Sequence, residues 1–260
     1  MPLTARNSER LLSLASKYKN IVQDQWLTQV LQRDVYRLFV DVNLIRKAKD
    51  KTSREYKLLT ELQSGFVFIY SKVTPQDLAA VSFLESRGFN LIDTNITFDK
   101  PIVPMHNFTS ASTIRFSAPR DRNQAVKLAR KSFVCSRFHL DSAFTREAAD
   151  TIRAEWIKNY FIGSRGDALI VAAEDEMIVG FLLLIYGKDG SLIIDLIAVE
   201  ETQRRKGIAK DMIIFAESQC PGFTRISVGT QLANTPSIRL YEEKGFKLVT
   251  SQYTFHYHHG

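Results

Sequence analysis

The residues best suited to chemistry lie in the stretch Ser191–Ala209, SLIIDLIAVEETQRRKGIA, where an apolar run meets a polar turn and then a basic glycine loop. The run predicts a strand, and the segment after the loop predicts an amphipathic helix. Small residues within Arg204-Arg205-Lys206-Gly207-Ile208-Ala209 let the backbone approach a ligand closely. Free N–H groups at a helix start hold phosphate, with help from the helix dipole. The stretch therefore reads as a phosphate site with a strand beside it. A basic turn before a helix also serves as a plain solvated cap, and the loop alone does not decide between the two. Its spacing excludes the dinucleotide fingerprint, which needs two further glycines, and the P-loop, which ends in Gly-Lys-Ser/Thr.

Other residues invite a chemical reading. Asn234 stands at an expected helix start and Tyr241 late on that helix, followed by Gly245-Phe246. Asn234 suits a helix cap, and Tyr241 is either a half-buried aromatic or a proton donor. Asp195 interrupts LIIDLIAV. A carboxylate in an apolar strand needs a partner, a polar cleft or a task, and base or substrate contact is the functional reading. His139, within Ser136–Asp141, is the other candidate base, and water is a third. The terminal His256, His258 and His259 do not suggest a metal: no carboxylate or cysteine accompanies them, and their spacing suits a fraying last strand.

The elements that must position these residues follow from periodicity and punctuation. Helical segments are expected over Asn7–Leu31, a strand over Val35–Val42, a basic loop at Arg46–Lys51, a helix over Ser53–Gln63 and a buried strand at Phe66–Tyr70. Thr74-Pro75 reads as a helix start, Gly88 as its stop, and Leu91–Phe98 as a strand. The prolines and polar residues between Pro101 and Ala111 make the best linker, dividing the chain into an N-terminal α/β domain, 1–105, and a second domain, 106–260. There Thr113–Ser117 is a short strand, Pro119–Lys131 a helix, Phe133–Asp141 a loop, and Thr145–Phe161 a helix carrying Trp156. Strands at Ala168–Ala173, Met177–Tyr186 and Ser191–Val199, joined by hairpin turns, lead into helix Ile208–Gln219, strand Arg225–Gly229, helix Asn234–Lys244 and a last strand Phe246–His256. The order is α+β: an antiparallel meander followed by strand–helix–strand–helix–strand. Ser82–Leu91 also echoes Arg239–Leu248, each a helix end, Gly-Phe and a strand. The first copy has Leu84 where the second has Tyr241 and lacks a glycine loop, so it is not expected to catalyse.

Composition is that of an ordinary globular protein: 260 residues, 45% hydrophobic and 24% charged. The net charge of +7 fits an anionic partner, whether nucleic acid, a membrane face or a small molecule, or scattered surface charge. The two cysteines, Cys135 and Cys220, are too few for a disulfide framework and are expected reduced. The N-terminus lacks a signal-peptide pattern, and no apolar stretch is long enough to span a bilayer. A cytoplasmic protein without a membrane span is the expectation.

Arg204-x-x-Gly207-x-Ala209 directly after a strand resembles the pyrophosphate signature of the GNAT superfamily of acyl-CoA N-acyltransferases, and Asn234…Tyr241…Gly245-Phe246 resembles that superfamily's closing motif. The resemblance implies the GNAT fold, a mainly antiparallel mixed sheet flanked by helices, over the second domain. The echo of Arg239–Leu248 in Ser82–Leu91 then has two readings, a smaller N-terminal domain that is a degenerate half of the same kind or helix–Gly–strand punctuation recurring by chance. Acetyl-CoA is the implied co-substrate: its diphosphate on Arg204, Arg205, Lys206, Gly207, Ile208 and Ala209, its pantetheine along Ile197, Ala198 and Val199 and touching Asn234. An amine attacks the thioester directly and Tyr241 protonates the departing sulfur, while Asp195 or His139 takes the amine's proton.

The segment Ser136-Arg137-Phe138-His139-Leu140-Asp141, with the run Arg87–Phe98, is similar to dTDP-fucosamine acetyltransferases and related nucleotide-amino-sugar N-acetyltransferases. That resemblance implies a dTDP-linked 4-amino-4,6-dideoxyhexose as acceptor, in surface-polysaccharide assembly. Arg137 and His139 would face its nucleotide diphosphate, and Phe138 would offer the base a platform or simply pack. Arg204 stands where that motif often has Gln. Two alternatives share the cofactor residues: acetylation of a protein N-terminus or lysine, and a non-catalytic protein that binds coenzyme A or nucleic acid. A small-molecule acceptor without nucleic acid is the leading expectation, with a homodimer left open.

Overall fold

The computed structural model describes residues 19–103, 110 and 112–260. The expected helical stretch before Lys19 and most of the linker after Pro101 lie outside the described residues.

The chain forms two compact units, one holding the described residues up to Asn95 with Ser251–Gly260, the other Ile96–Thr250. The division expected at 105/106 is not where the chain parts. The units divide within two long strands, Asn90–Pro101 and Lys247–His259, which are continuous through the junctions.

The first unit runs β1 (Ile21–Gln23), α1 (Gln25–Leu31), β2 (Asp34–Leu38), α2 (Val42–Lys49), α3 (Arg54–Gln63), β3 (Val67–Val73), α4 (Leu78–Ser86) and the start of β4 (Asn90–Pro101). β1 pairs antiparallel with β2, β2 parallel with β3, and β3 antiparallel with Tyr253–His259 of β10 (Lys247–His259). Tyr36, Leu58, Ile69, Leu84 and Phe255 fill its core. Here Arg46–Lys49 of the basic run expected as a loop form the end of α2, because Asp41 starts a helix by accepting from Leu44 N–H; only Asp50 and Lys51 lie beyond it. Thr74-Pro75 makes a turn, and Asp77 caps α4 three residues later, accepting from Ala80 N–H.

In the second unit come β5 (Thr113–Phe116), a 3-10 turn, α5 (Arg122–Ser132), α6 (Arg137–Leu140), α7 (Arg146–Phe161), β6 (Ala168–Glu174), β7 (Met177–Tyr186), β8 (Ser191–Val199), a second 3-10 turn at Glu201–Gln203, α8 (Ile208–Gln219), β9 (Arg225–Gln231), α9 (Thr235–Glu243) and the start of β10. The meander β5–β8 is antiparallel, β9 adds parallel to β8, and β4 lies beside β9. One sheet face carries Ile170, Leu182, Leu192 and Ile194 with Ile208 and Met212 of α8. The other carries Val171, Phe181 and Leu196 with Ala129 and Ile157 of α5 and α7. Residues 137–140, expected within a loop, form the single turn α6, too short to show a period.

The two echoing segments end alike. Gly88 and Gly245 take φ of +77° and +80°, and the next residue's N–H returns to Leu84 in α4 and to Tyr241 in α9, both at 3.0 Å. These are glycine-terminated helix ends in which a left-handed residue frees the chain to turn into a strand.

Among the described residues no helix is long and apolar enough to cross a membrane. Cys135 and Cys220 are free thiols.

Candidate active site

The site is built on two irregularities of β8. Its pairing with β7 slips between Leu183 and Leu184, so that Leu183 faces Leu196, Leu184 faces Ile194, and Asp195 is the extra residue. Such a bulge exchanges the faces of everything beyond it. Leu192 and Ile194 pack on the α8 face; past the bulge Ile197 and Val199 take that face, and Leu196 and Ala198 turn to the other. The parallel register with β9 also stops at Ile194–Val228, although β8 continues to Val199 and β9 to Gln231. Backbone amides and carbonyls of Asp195–Val199 on that side therefore lack β9 as a partner, which is what an extended ligand needs in order to lie along the strand.

Beyond β8 the chain enters the glycine loop. Gly207 sits at φ +86° as the residue before α8, and this helix start has no side-chain cap. By contrast, Thr145 caps α7 and Asn234 caps α9. Arg205 is also left-handed, at φ +69°. A Cβ placed on Gly207 would meet nothing within 4 Å. An uncapped helix N-terminus twelve residues long, opening beside free space, fits an anionic diphosphate. Arg204 to Gly207 are exposed. The Arg204 guanidinium donates to the carbonyls of Val199 (3.2 Å) and Ser132 (3.3 Å), and Lys206 is bonded to Gln203, so both side chains brace the loop and leave its backbone for a ligand.

Tyr241 belongs to the buried cluster on the α8 face, against which Ile197 and Val199 pack and which also holds Ile208. Its ring lies 6.1 Å from that of Phe98 and 5.5 Å from that of Phe246. Burial pushes its phenol well above the ordinary 10.0, so it keeps its proton at neutral pH. Asn234 accepts from Ser237 N–H at 3.4 Å and donates to Thr230 Oγ1 at 3.2 Å, a capping role.

On the other face the structure gives Asp195 the partner its strand demanded. Arg165 donates to both carboxylate oxygens at 2.7 Å, and Trp156 Nε1 donates to one of them at 2.8 Å. Around this group the aromatic rings carry cations. The Arg165 guanidinium lies 4.3 Å from the Trp156 ring centre, and that of Arg153 lies 5.0 Å from both Trp156 and Phe133. Arg153 and Arg165 were not among the expected site residues. The signal for Arg153 was available: it lies on the helical stripe Ala149–Ile152–Arg153–Ile157, whose other members are apolar and buried.

Two of the expected site residues are held within the fold. His139 has both ring nitrogens engaged, Nδ1 with Ser136 Oγ at 2.5 Å and Nε2 with Asp150 Oδ1 at 2.9 Å, and its side chain is only 3% exposed. Because the carboxylate only accepts, Nε2 carries the proton and Nδ1 accepts from the hydroxyl. Both ring nitrogens are thus engaged within the fold, Nε2 as donor and Nδ1 as acceptor. Phe138 is fully buried, edge-on to Phe144 at 5.4 Å with the Arg137 guanidinium 4.4 Å over its ring; it offers no face to a nucleobase. Arg137 remains half-buried at the cluster's edge.

Burial holds the His139 pKa below 6.5, outweighing its bond to Asp150. With the folded value depressed, the unfolded chain takes up the proton first as pH falls. The contribution is therefore complete above the unfolded value and is lost as pH drops through the folded one. Urea midpoints should fall between about pH 7.5 and pH 5.5, and the fall should shrink in His139→Gln; equal slopes would remove His139 as the cause.

Residues 128–246 match the family described as acetyltransferase (GNAT). Over 235 residues the chain is 26% identical to the spore coat polysaccharide biosynthesis protein SpsD of Bacillus subtilis (strain 168), covering 89% of this chain and 80% of that protein. Its fold is similar to a GCN5-related N-acetyltransferase from Kribbella flavida (TM-score 0.58, 12% identity, 100% of this chain and 97% of that one). It is also similar to a GCN5-related N-acetyltransferase from Sphaerobacter thermophilus (TM-score 0.58, 14% identity, 86% and 72%). The expected GNAT fold is the observed one.

Proposed function

We propose that this chain, which carries a GNAT acetyltransferase domain over residues 128–246, moves acetyl from acetyl-CoA to the amine of a nucleotide-linked amino sugar. The observation that carries this reading is the uncapped, left-handed start of α8 immediately beyond a strand that has parted from its neighbour. The loop backbone from Lys206 to Ala209 binds the coenzyme's diphosphate, and the strand Ile197–Val199 aligns its thioester. The free N–H groups of that strand polarise the carbonyl as the amine attacks. Tyr241, whose side chain belongs to the cluster holding Ile197 and Val199, gives its proton to the departing sulfur. Asp195, held by Arg165 and Trp156, orients the acceptor side of the site, and water takes the amine's proton. Support for a sugar acceptor comes from SpsD, named for polysaccharide biosynthesis, and from the arginines around Trp156. The first unit, with Leu84 at the place of Tyr241, is a non-catalytic relative of the second.

The test is calorimetry with coenzyme A, then free-thiol release from acetyl-CoA with a dTDP-linked amino sugar, a basic peptide or no acceptor. Binding of coenzyme A with thiol release by the sugar alone supports the reading. Release by the peptide instead replaces the acceptor, and no heat with coenzyme A overturns the site.

A further inference from the structure

Two arginines, Arg153 and Arg165, lie over Trp156, and only one of them has a carboxylate in hydrogen-bond contact. Arg165 is neutralised by Asp195. The other nearby carboxylate, Asp150, is taken by His139 at 2.9 Å and Arg146 at 3.7 Å. Arg153 is 8% exposed, its Nε is buried without a hydrogen-bond partner, and it makes no hydrogen bond among the described residues. Burial first, then the charge of Arg137, pulls its pKa down to about 10, with Asp195 opposing the fall and Arg165 adding to it. Cation–π contact with Phe133 and Trp156 returns only part of what it costs to desolvate a guanidinium. A helix stripe filled with alanine and isoleucine would accept a leucine or methionine there at no such cost. An unbalanced, buried guanidinium beside a fixed Arg–Asp pair is what a site looks like when an anion completes it.

We propose that Arg153, with Arg165 and Arg137, forms a phosphate subsite for the acceptor, separate from the loop at Gly207, and that Asp195 is the positioning residue that fixes the Arg165 guanidinium against Trp156. The inference rests on the acceptor reading above and assigns the residues that recognise its diphosphate. It also gives Asp195 a reason to sit at a bulge: as the extra residue of β8 it faces no residue of β7, and its carboxylate meets Arg165 and Trp156.

The probe is dTDP, titrated calorimetrically into the full chain already saturated with coenzyme A, so that the loop at Gly207 is occupied. Arg153→Met should weaken dTDP by about tenfold to a hundredfold, the loss of one charge-assisted contact. Coenzyme A affinity should be unchanged, and the melting temperature of the unliganded protein equal or higher, since a buried charge is gone. A merely structural Arg153 would show the reverse: lower stability and unchanged dTDP binding. Arg165→Lys, at a partly exposed position, keeps the charge but loses the bidentate fork and should weaken dTDP severalfold; it decides the matter if Arg153→Met does not fold. Inorganic pyrophosphate should compete with dTDP in the wild-type chain. Coenzyme A binding without any dTDP binding, dTDP displaced by coenzyme A, or dTDP affinity indifferent to both substitutions would overturn the subsite. Loss of coenzyme A binding by the wild type would instead overturn the acetyltransferase site itself.

Discussion

Tyr241→Phe is expected to lower turnover by about 10²- to 10⁴-fold, the range for losing a positioned general acid. Coenzyme A affinity and melting temperature should change little. The ring stays packed between Phe98 and Phe246, so the substitution removes one oxygen and no apolar contact. The lost interaction is one made as the sulfur departs, so kcat and kcat/KM should fall together. The raised phenol pKa adds a second signature. An ordinary tyrosine begins to lose its proton near pH 10.0, and burial moves Tyr241 above that. A wild-type activity decline below that value then belongs to some other group, and Tyr241→Phe should keep the same profile at a lower level. Unchanged turnover would remove Tyr241 as the acid and leave the leaving thiolate to water.

The features legible in the sequence are those written in local chemistry. Thr145 before a helical period, Gly245 after one, and the strand–loop–helix order around Gly207 each act within a turn of their own position, and the structure places them as read. The bulge at Asp195 was invisible because β8 is apolar on both faces; with no alternation along the strand, an exchange of faces leaves no trace in the spelling. Asp195 announced that it needed a partner but not which one, since Arg165 and Trp156 are 30 and 39 residues away and meet it only through packing. The inward turn of His139 and Phe138 was hidden for a related reason. A polar and aromatic segment of four residues has no period to tell which side chain turns inward, and here both do.

Gly207→Val should raise the dissociation constant of acetyl-CoA by about 10²- to 10⁴-fold, the loss of roughly two charge-assisted contacts from backbone N–H groups to a phosphate. Two separate effects contribute. At φ +86° a β-branched residue is strained, by about 1–2 kcal/mol on the usual left-handed penalty, which alone should cost a few degrees of melting temperature. The new side chain would also fill space that is empty of protein atoms, and so would collide with a ligand rather than with the fold. Gly207→Asn separates the two. Asparagine tolerates the left-handed region, so this variant should melt close to the wild type, yet its side chain still stands where the diphosphate must approach. If strain alone mattered, the asparagine variant would bind normally. If the open N-terminus of α8 is the cradle, both variants lose the coenzyme while only the valine variant loses stability. Normal acetyl-CoA affinity in a folded Gly207→Val chain would mean that the diphosphate is held elsewhere, and that the absent cap on α8 has no ligand to explain it.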